Sequence, residues 1–153
     1  MSEHQRSGHL HRNFQGYTTD AADTLIGFGA SAIGRLPQGH VQNTADIAAW
    51  EKMVAAGDLP VARGCAYEGD DLFRSEIIER LMCDLEADIG TLARKHGQPV
   101  PNPDLSELEA DGIVRRDGDL VVINPVYRTL ARIVAAAFDT RLMAGNAKHS
   151  VSV

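Results

Sequence analysis

Residues 70–85 read Asp70-Asp71-Leu72-Phe73-Arg74-Ser75-Glu76-Ile77-Ile78-Glu79-Arg80-Leu81-Met82-Cys83-Asp84-Leu85. Phe73, Ile77, Leu81 and Leu85 recur every four residues, with Ile78 and Met82 beside them. Apolar residues at this spacing share one face of an α-helix, so the stretch predicts an amphipathic helix packed on a core. Asp70 or Asp71 supplies the N-cap.

Downstream, the pattern continues as short elements with clear punctuation. A second helix runs from Ile89 to about His96, with Asp88 as cap and Gly97 as stop. Pro99, Pro101 and Pro103 then stiffen the connection. A short acidic helix covers Asp104 to Asp111 and stops at Gly112. Ile113-Val114-Arg115-Arg116 and Leu120-Val121-Val122-Ile123 flank Asp117-Gly118-Asp119, a β-hairpin signal. Asn124 caps a last helix and Pro125 takes its first turn. Val126, Leu130, Ile133, Val134, Ala137 and Leu142 are its expected buried face, with Gly145 as its end. The fold class read from these elements is α+β, mainly helical, with a winged-helix-like domain over 67–145 that carries one β-hairpin. A loose polar tail is expected over 146–153.

Upstream the chain changes character. Residues 1–67 carry 5 basic and 6 acidic side chains, against 10 and 15 in residues 68–153. The first stretch is rich in glycine and small residues. Leu25-Ile26-Gly27-Phe28-Gly29-Ala30-Ser31-Ala32-Ile33 reads as a strand running into a glycine-rich turn. Gly27, Gly29 and Ala32 match the G-x-G-x-x-G/A dinucleotide fingerprint, which requires a helix to open immediately. Gly34, Pro37 and Gly39 oppose such a helix, so the glycines are read as points of close backbone approach. Thr44 is the expected cap of a helix over 45–56, whose stripe of Ile47, Trp50, Met53 and Val54 is assigned to core packing.

Composition excludes several function classes. The chain has 153 residues, 44% apolar and 24% charged, with a formal charge of −6. That is ordinary globular composition, with no basic footprint for nucleic acid. The helix that would enter the DNA groove of a winged helix carries Asp104, Glu107, Glu109 and Asp111 and no base, so it would repel phosphate. No apolar run is long enough to span a membrane. The opening residues MSEHQRSGHLHRNFQGY contain no signal-like apolar segment, so a cytoplasmic location is expected. His4, His9, His11 and His40 lack partners at ligand spacing, so no metal site is expected. Cys65 and Cys83, 18 residues apart, are too few for a disulfide framework or an iron–sulfur cluster and read as reduced thiols.

The segment His11-Arg12-Asn13-Phe14-Gln15-Gly16-Tyr17-Thr18-Thr19, followed by residues 25–33, resembles oxygen-independent coproporphyrinogen III oxidase of the radical SAM family. The likeness continues through Gln42-Asn43, Arg63-Gly64, Leu81-Met82-Cys83 and Phe138-Asp139. It is a likeness to the family's C-terminal third. On that resemblance, residues 1–66 are the C-terminal end of the radical SAM barrel with a connecting helix, and 67–145 are the helical domain that follows. The intact family uses S-adenosyl-L-methionine (SAM) and a 4Fe-4S cluster to turn coproporphyrinogen III into protoporphyrinogen IX. Its C-x-x-x-C-x-x-C cluster motif is not in this sequence, so the chain alone is expected to be inactive. Its implied partners are the N-terminal barrel and the tetrapyrrole substrate.

The resemblance implies a SAM contact at Ile33. It places Arg12, Gln15 and Tyr17 on the substrate side, as hydrogen-bond donors to propionate carboxylates. No catalytic residue and no metal ligand is assigned to this chain. The sequence departs from the family pattern at Asn124-Pro125-Val126-Tyr127-Arg128, where Tyr127 stands in place of a glycine, and in a short link from Gly97 to Gly112. A stand-alone winged-helix interaction module, or a tetrapyrrole- or haem-binding module, stays open as the alternative.

Overall fold

The computed structural model describes residues 8–143; His4, Gly145 and the tail over 146–153 lie outside them. His11–Asn13 (β1) and Gly16–Thr18 (β2) pair as a small hairpin turning at Phe14-Gln15. Beyond it the chain divides into two compact units. One comprises residues 14–16 and 20–69; the other comprises 8–13, 17–19 and everything from Asp70 on.

The unit spanning 20–69 is built on a three-stranded antiparallel sheet. Ile33–Leu36 (β3) pairs with Gly39–Asn43 (β4), setting Ile33 opposite Gln42 and Arg35 opposite His40. Val61–Ala66 (β5) pairs with the other edge of β4, setting His40 opposite Cys65. The β3–β4 hairpin closes on Gly39, whose φ is 151°. A Cβ at that position would lie 2.2 Å from the Cys65 carbonyl oxygen, so only glycine fits. The sequence reading took residues 25–33 as a strand running into a glycine-rich turn. The turn in fact precedes the strand, and Leu25 alone adds a bridge to Arg35. β5 was not predicted, because Arg63-Gly64-Cys65 breaks any apolar alternation.

The helix of this unit is Ile47–Ala55 (α1). Its cap is Asp46 rather than Thr44: the Asp46 carboxylate accepts from the Ala49 N–H at 2.7 Å. None of its residues is buried, contrary to the core role read for its stripe; Ile47 and Val54 are exposed. No apolar side chain between residues 20 and 69 is buried. Phe28, at 90% exposure, and Leu59, at 83%, stand almost wholly in solvent.

The second unit holds the hydrophobic core. Asp71–Cys83 (α2) buries Phe73, Ile77 and Leu81, as its spacing requires. Glu86–Asp88 (β6) leads into Ile89–His96 (α3), capped by the Asp88 carboxylate on the Thr91 N–H at 2.8 Å and ended by left-handed Gly97. Ser106–Ala110 (α4) precedes the predicted hairpin of Val114–Asp117 (β7) and Leu120–Ile123 (β8). β6 joins that hairpin through β8, giving the sheet order β6-β8-β7. Three residues are too few for β6 to show a period, and so the sequence reading missed it.

The last predicted helix is broken. Pro125–Leu130 forms a 3-10 turn, Ala131–Ala136 (α5) is α-helical, and Thr140–Met143 (α6) follows. The buried face is Ala131, Val134, Ala135 and Phe138, while Val126, Ile133 and Leu142 are exposed. The kink at Tyr127, with φ −99° and ψ 25°, rotates the face away from the one a continuous helix would present. Phe73, Ile77, Leu81, Ile123, Val134 and Phe138 meet at the centre; burying each contributes about 1.5–3 kcal/mol of transfer free energy. Arg74 ties the ends of this unit together, its guanidinium donating to Asp70 at 2.7 Å and to the Phe138 carbonyl at 3.0 Å. No helix among the described residues is long and apolar enough to cross a membrane.

Candidate functional site

In the unit that holds the core, α2 anchors the β1–β2 hairpin. Glu79 Oε1 lies 3.2 Å from His11 Nδ1 and accepts the Arg12 backbone N–H at 3.3 Å. One turn on, the Met82 carbonyl accepts the Tyr17 hydroxyl at 3.1 Å. Glu79 and Met82 are three residues apart, so they face the same side of the helix and hold both strands. The Arg12 guanidinium sits 6.0 Å above the Tyr17 ring, at the edge of cation–π range. Arg12 and Tyr17 are thus brought together, but the single O–H of Tyr17 is already donated to the Met82 carbonyl, so the donor role expected for Tyr17 is not available and its oxygen is left as an acceptor.

The other unit carries Gln15 and Ile33. The segment 25–33 leaves the Leu25–Arg35 bridge, loops through Gly27 and Gly29, and enters β3 at Ile33. Asn43 at the end of β4 fastens that loop: its side-chain amide donates to the carbonyls of Gly27 at 3.3 Å and Gly29 at 2.9 Å. Gln42 donates to the Ser31 carbonyl at 3.1 Å and accepts from Arg63 at 2.7 Å. Ser31 takes a positive φ of 60° at the sharpest point of the loop. A strand rather than a helix follows these glycines, so the dinucleotide fingerprint is not realised. At Gly27 an added Cβ would meet the Ala32 side chain at 2.9 Å, so that glycine is required by the loop's own packing. Gly29 faces open space.

Three rings meet in the same unit. Phe14, in the hairpin turn, packs edge-on against His40 with centroids 5.1 Å apart and planes at 86°. His40 packs edge-on against Tyr67 at 5.2 Å, and its Nε2 lies 2.9 Å from the Tyr67 hydroxyl. Burial lowers the His40 pKa, the Gly34 backbone raises it, and Arg35 on the neighbouring strand lowers it further, leaving it below 6.5. Neither His40 nor Tyr67 was singled out as a ring partner from the sequence, because their pairing depends on the β4–β5 register.

The cysteines do not fit an iron–sulfur cluster. Cys83 is buried in α2 and Cys65 is exposed on β5. Burial pushes the Cys83 thiol up to about 12, and Glu79 and Asp84 add to that. A cluster of this kind needs three or four thiolates, and the chain has two cysteines in all. The resemblance implies a SAM contact at Ile33. Ile33 is a half-buried apolar side chain at a strand entrance, beside a loop whose Gly29 backbone is open.

No family model matches the chain. A solved structure of coproporphyrinogen III oxidase from Escherichia coli, a radical SAM enzyme, is 31% identical with a TM-score of 0.84. The match covers 92% of this chain and 34% of that one. The fold is therefore that of one part of a radical SAM enzyme. Sequence relatives agree in name: oxygen-independent coproporphyrinogen III oxidase of Bradyrhizobium diazoefficiens is 46% identical over 152 residues. The corresponding enzyme of Paracoccus denitrificans is 37% identical over 157 residues. The chain is homologous to the C-terminal part of oxygen-independent coproporphyrinogen III oxidase. It spans about a third of the length of these relatives, 33% and 35%.

Proposed function

We propose that the chain is the C-terminal third of an oxidase that decarboxylates coproporphyrinogen III to protoporphyrinogen IX in the cytoplasm. The observation that carries the reading is the 46% identity over 94% of the chain to one such enzyme. Residues 1–66 are then the closing segment of the radical SAM barrel with its connecting helix. The unit from Asp70 on is a winged-helix-type domain, a reading supported by its helix–strand–helix–helix–hairpin order and its β6-β8-β7 sheet.

The N-terminal part of the enzyme is the partner of the barrel segment. The exposed Ile26, Phe28, Ile47, Leu59 and Val61 are the apolar surface such a partner would cover. In the assembled enzyme, a cluster held by that partner together with SAM would supply the hydrogen abstraction that precedes loss of carbon dioxide from a propionate side chain. The cluster's ligands come from the partner. This chain contributes Ile33 against the adenosyl group, and Arg12 as a charged donor to a propionate carboxylate. Gln15 assists as a neutral donor through its side-chain amide.

The test is reconstitution of this chain with the N-terminal two-thirds of the Bradyrhizobium relative under anaerobic conditions, with SAM and a reductant. Protoporphyrinogen formation, lost with either part alone, is expected. A soluble complex carrying its cluster but forming no product would overturn the reading.

A further inference from the structure

We propose that His40 and Tyr67 are positioning residues that hold the Phe14-Gln15 turn, and through it place Gln15 for substrate. The substrate half of this inference rests on the reading of Gln15 given above. Phe14 is 56% exposed, and Gln15 is exposed beside Gly16, whose φ is 137°. The Phe14 ring packs on His40 in the same unit.

His40 is well placed to be a fixed wall. It lies on the central strand β4, between Arg35 on β3 and Cys65 on β5. The Tyr67 hydroxyl, one residue beyond β5, meets its Nε2 and stops the imidazole from turning about its own axis. The backbone around Tyr67 is itself tied back, since its N–H donates to the Gln38 carbonyl at 2.9 Å. The order of support runs from sheet to Tyr67, to His40, to Phe14 and to the adjacent Gln15. An edge-to-face pair is directional, so it fixes the angle of the Phe14 ring as well as its distance. The chemistry that Gln15 would then present is a side-chain amide, a donor and an acceptor for a carboxylate-bearing tetrapyrrole.

Two readouts test this. Amide hydrogen exchange of residues 14–16 is followed in the full chain, and KM and kcat for coproporphyrinogen III in the reconstituted complex. His40→Ala should speed exchange at the turn about 3- to 10-fold, the range one aromatic pair can supply, with exchange across β3–β5 unchanged. His40→Phe should restore most of the protection, and Tyr67→Phe should fall between. KM should rise by a similar factor with kcat kept, and the rise should vanish when Gln15 is already alanine. Unchanged turn exchange in His40→Ala with the sheet intact overturns the proposal, as does a KM effect that adds to that of Gln15→Ala. If His40→Ala melts the sheet, Tyr67→Phe and His40→Phe decide by the same criteria. An inactive wild-type complex counts against the oxidase reading, while turn exchange still decides whether His40 and Tyr67 hold Phe14.

Discussion

Asn43 Nδ2 lies 2.9 Å from the Gly29 carbonyl oxygen and 3.3 Å from that of Gly27. One amide at the end of a strand therefore fastens two carbonyls of the glycine loop that leads to Ile33. Asn43→Ala leaves both carbonyls without this donor, a loss of about 1–2 kcal/mol in local stability. Amide exchange across residues 27–33 should accelerate roughly tenfold, with the core around Ile77 unaffected. Equal exchange in both proteins would show that the backbone bonds and the Gln42 side chain hold the loop without Asn43.

Gly39→Ala should be far more damaging. Its Cβ would sit 2.2 Å from the Cys65 carbonyl oxygen, which is backbone and cannot swing aside. The β4–β5 pairing must open, and with it the placement of His40. Circular dichroism and exchange should show the sheet over 33–66 lost while the unit from Asp70 on still melts cooperatively. A variant with wild-type exchange in β5 would contradict the geometry.

Acid stability should depend on Glu76. Burial raises the pKa of this carboxyl, but hydrogen bonds from His96, with Nε2 at 2.6 Å, and from Lys95 at 2.7 Å outweigh it, and the net shift is below 4.5. The folded protein thus releases this proton more readily than the unfolded chain. Its stabilising contribution is complete above the ordinary carboxylate range and disappears as the pH falls through the folded value. Thermal midpoints measured from about pH 6 down to about pH 3 should fall less steeply in Glu76→Gln than in wild type. Parallel curves would mean the cluster adds nothing.

The two thiols should behave differently. Cys65 is exposed and Cys83 is buried, its thiol pushed up to about 12. A disulfide reagent at about pH 8 should modify one thiol per native chain quickly and the second only on unfolding, because the thiolate is the reactive form. Anaerobic reconstitution of this chain with iron and sulfide should leave no stoichiometric cluster. Four tightly held irons per chain would refute the assignment of the cluster to the partner.

Limited proteolysis should cut first between residues 20 and 69. No apolar side chain is buried there, whereas Phe73, Ile77 and Phe138 are almost fully enclosed. A resistant product beginning near Asp70 is the expected outcome in mass spectrometry, and its protection of residues 20–69 should appear once the N-terminal partner is added. First cuts inside 71–136 would reverse this picture.

How much was legible beforehand differs along the chain for physical reasons. α2, α3 and the β7–β8 hairpin were readable because period, cap and turn residue agreed at each: Phe73-Ile77-Leu81, Asp88 with Gly97, and Gly118 between two apolar runs. The last helix was misread because a four-residue spacing assumes a continuous helix, and Tyr127 interrupts it. At that kink φ is negative, so Tyr127 sits there without backbone strain. Arg12, Gln15, Tyr17 and Ile33 were picked out by resemblance, since four scattered residue types carry no period of their own.

The sequence by itself determined the helical unit, its caps and its hairpin, because these are local choices made within a few residues of one another. It also determined the acidic charge and the two cysteines that deny the chain a cluster of its own. Only the tertiary structure decided that Asn43 fastens the loop before Ile33, that Glu79 and Met82 hold the hairpin, and that Phe14, His40 and Tyr67 meet. Those contacts join residues from 14 to 68 positions apart, through strand register and helix packing. No local pattern specifies such pairs, because register is fixed only when whole strands align and the chain's distant parts come together.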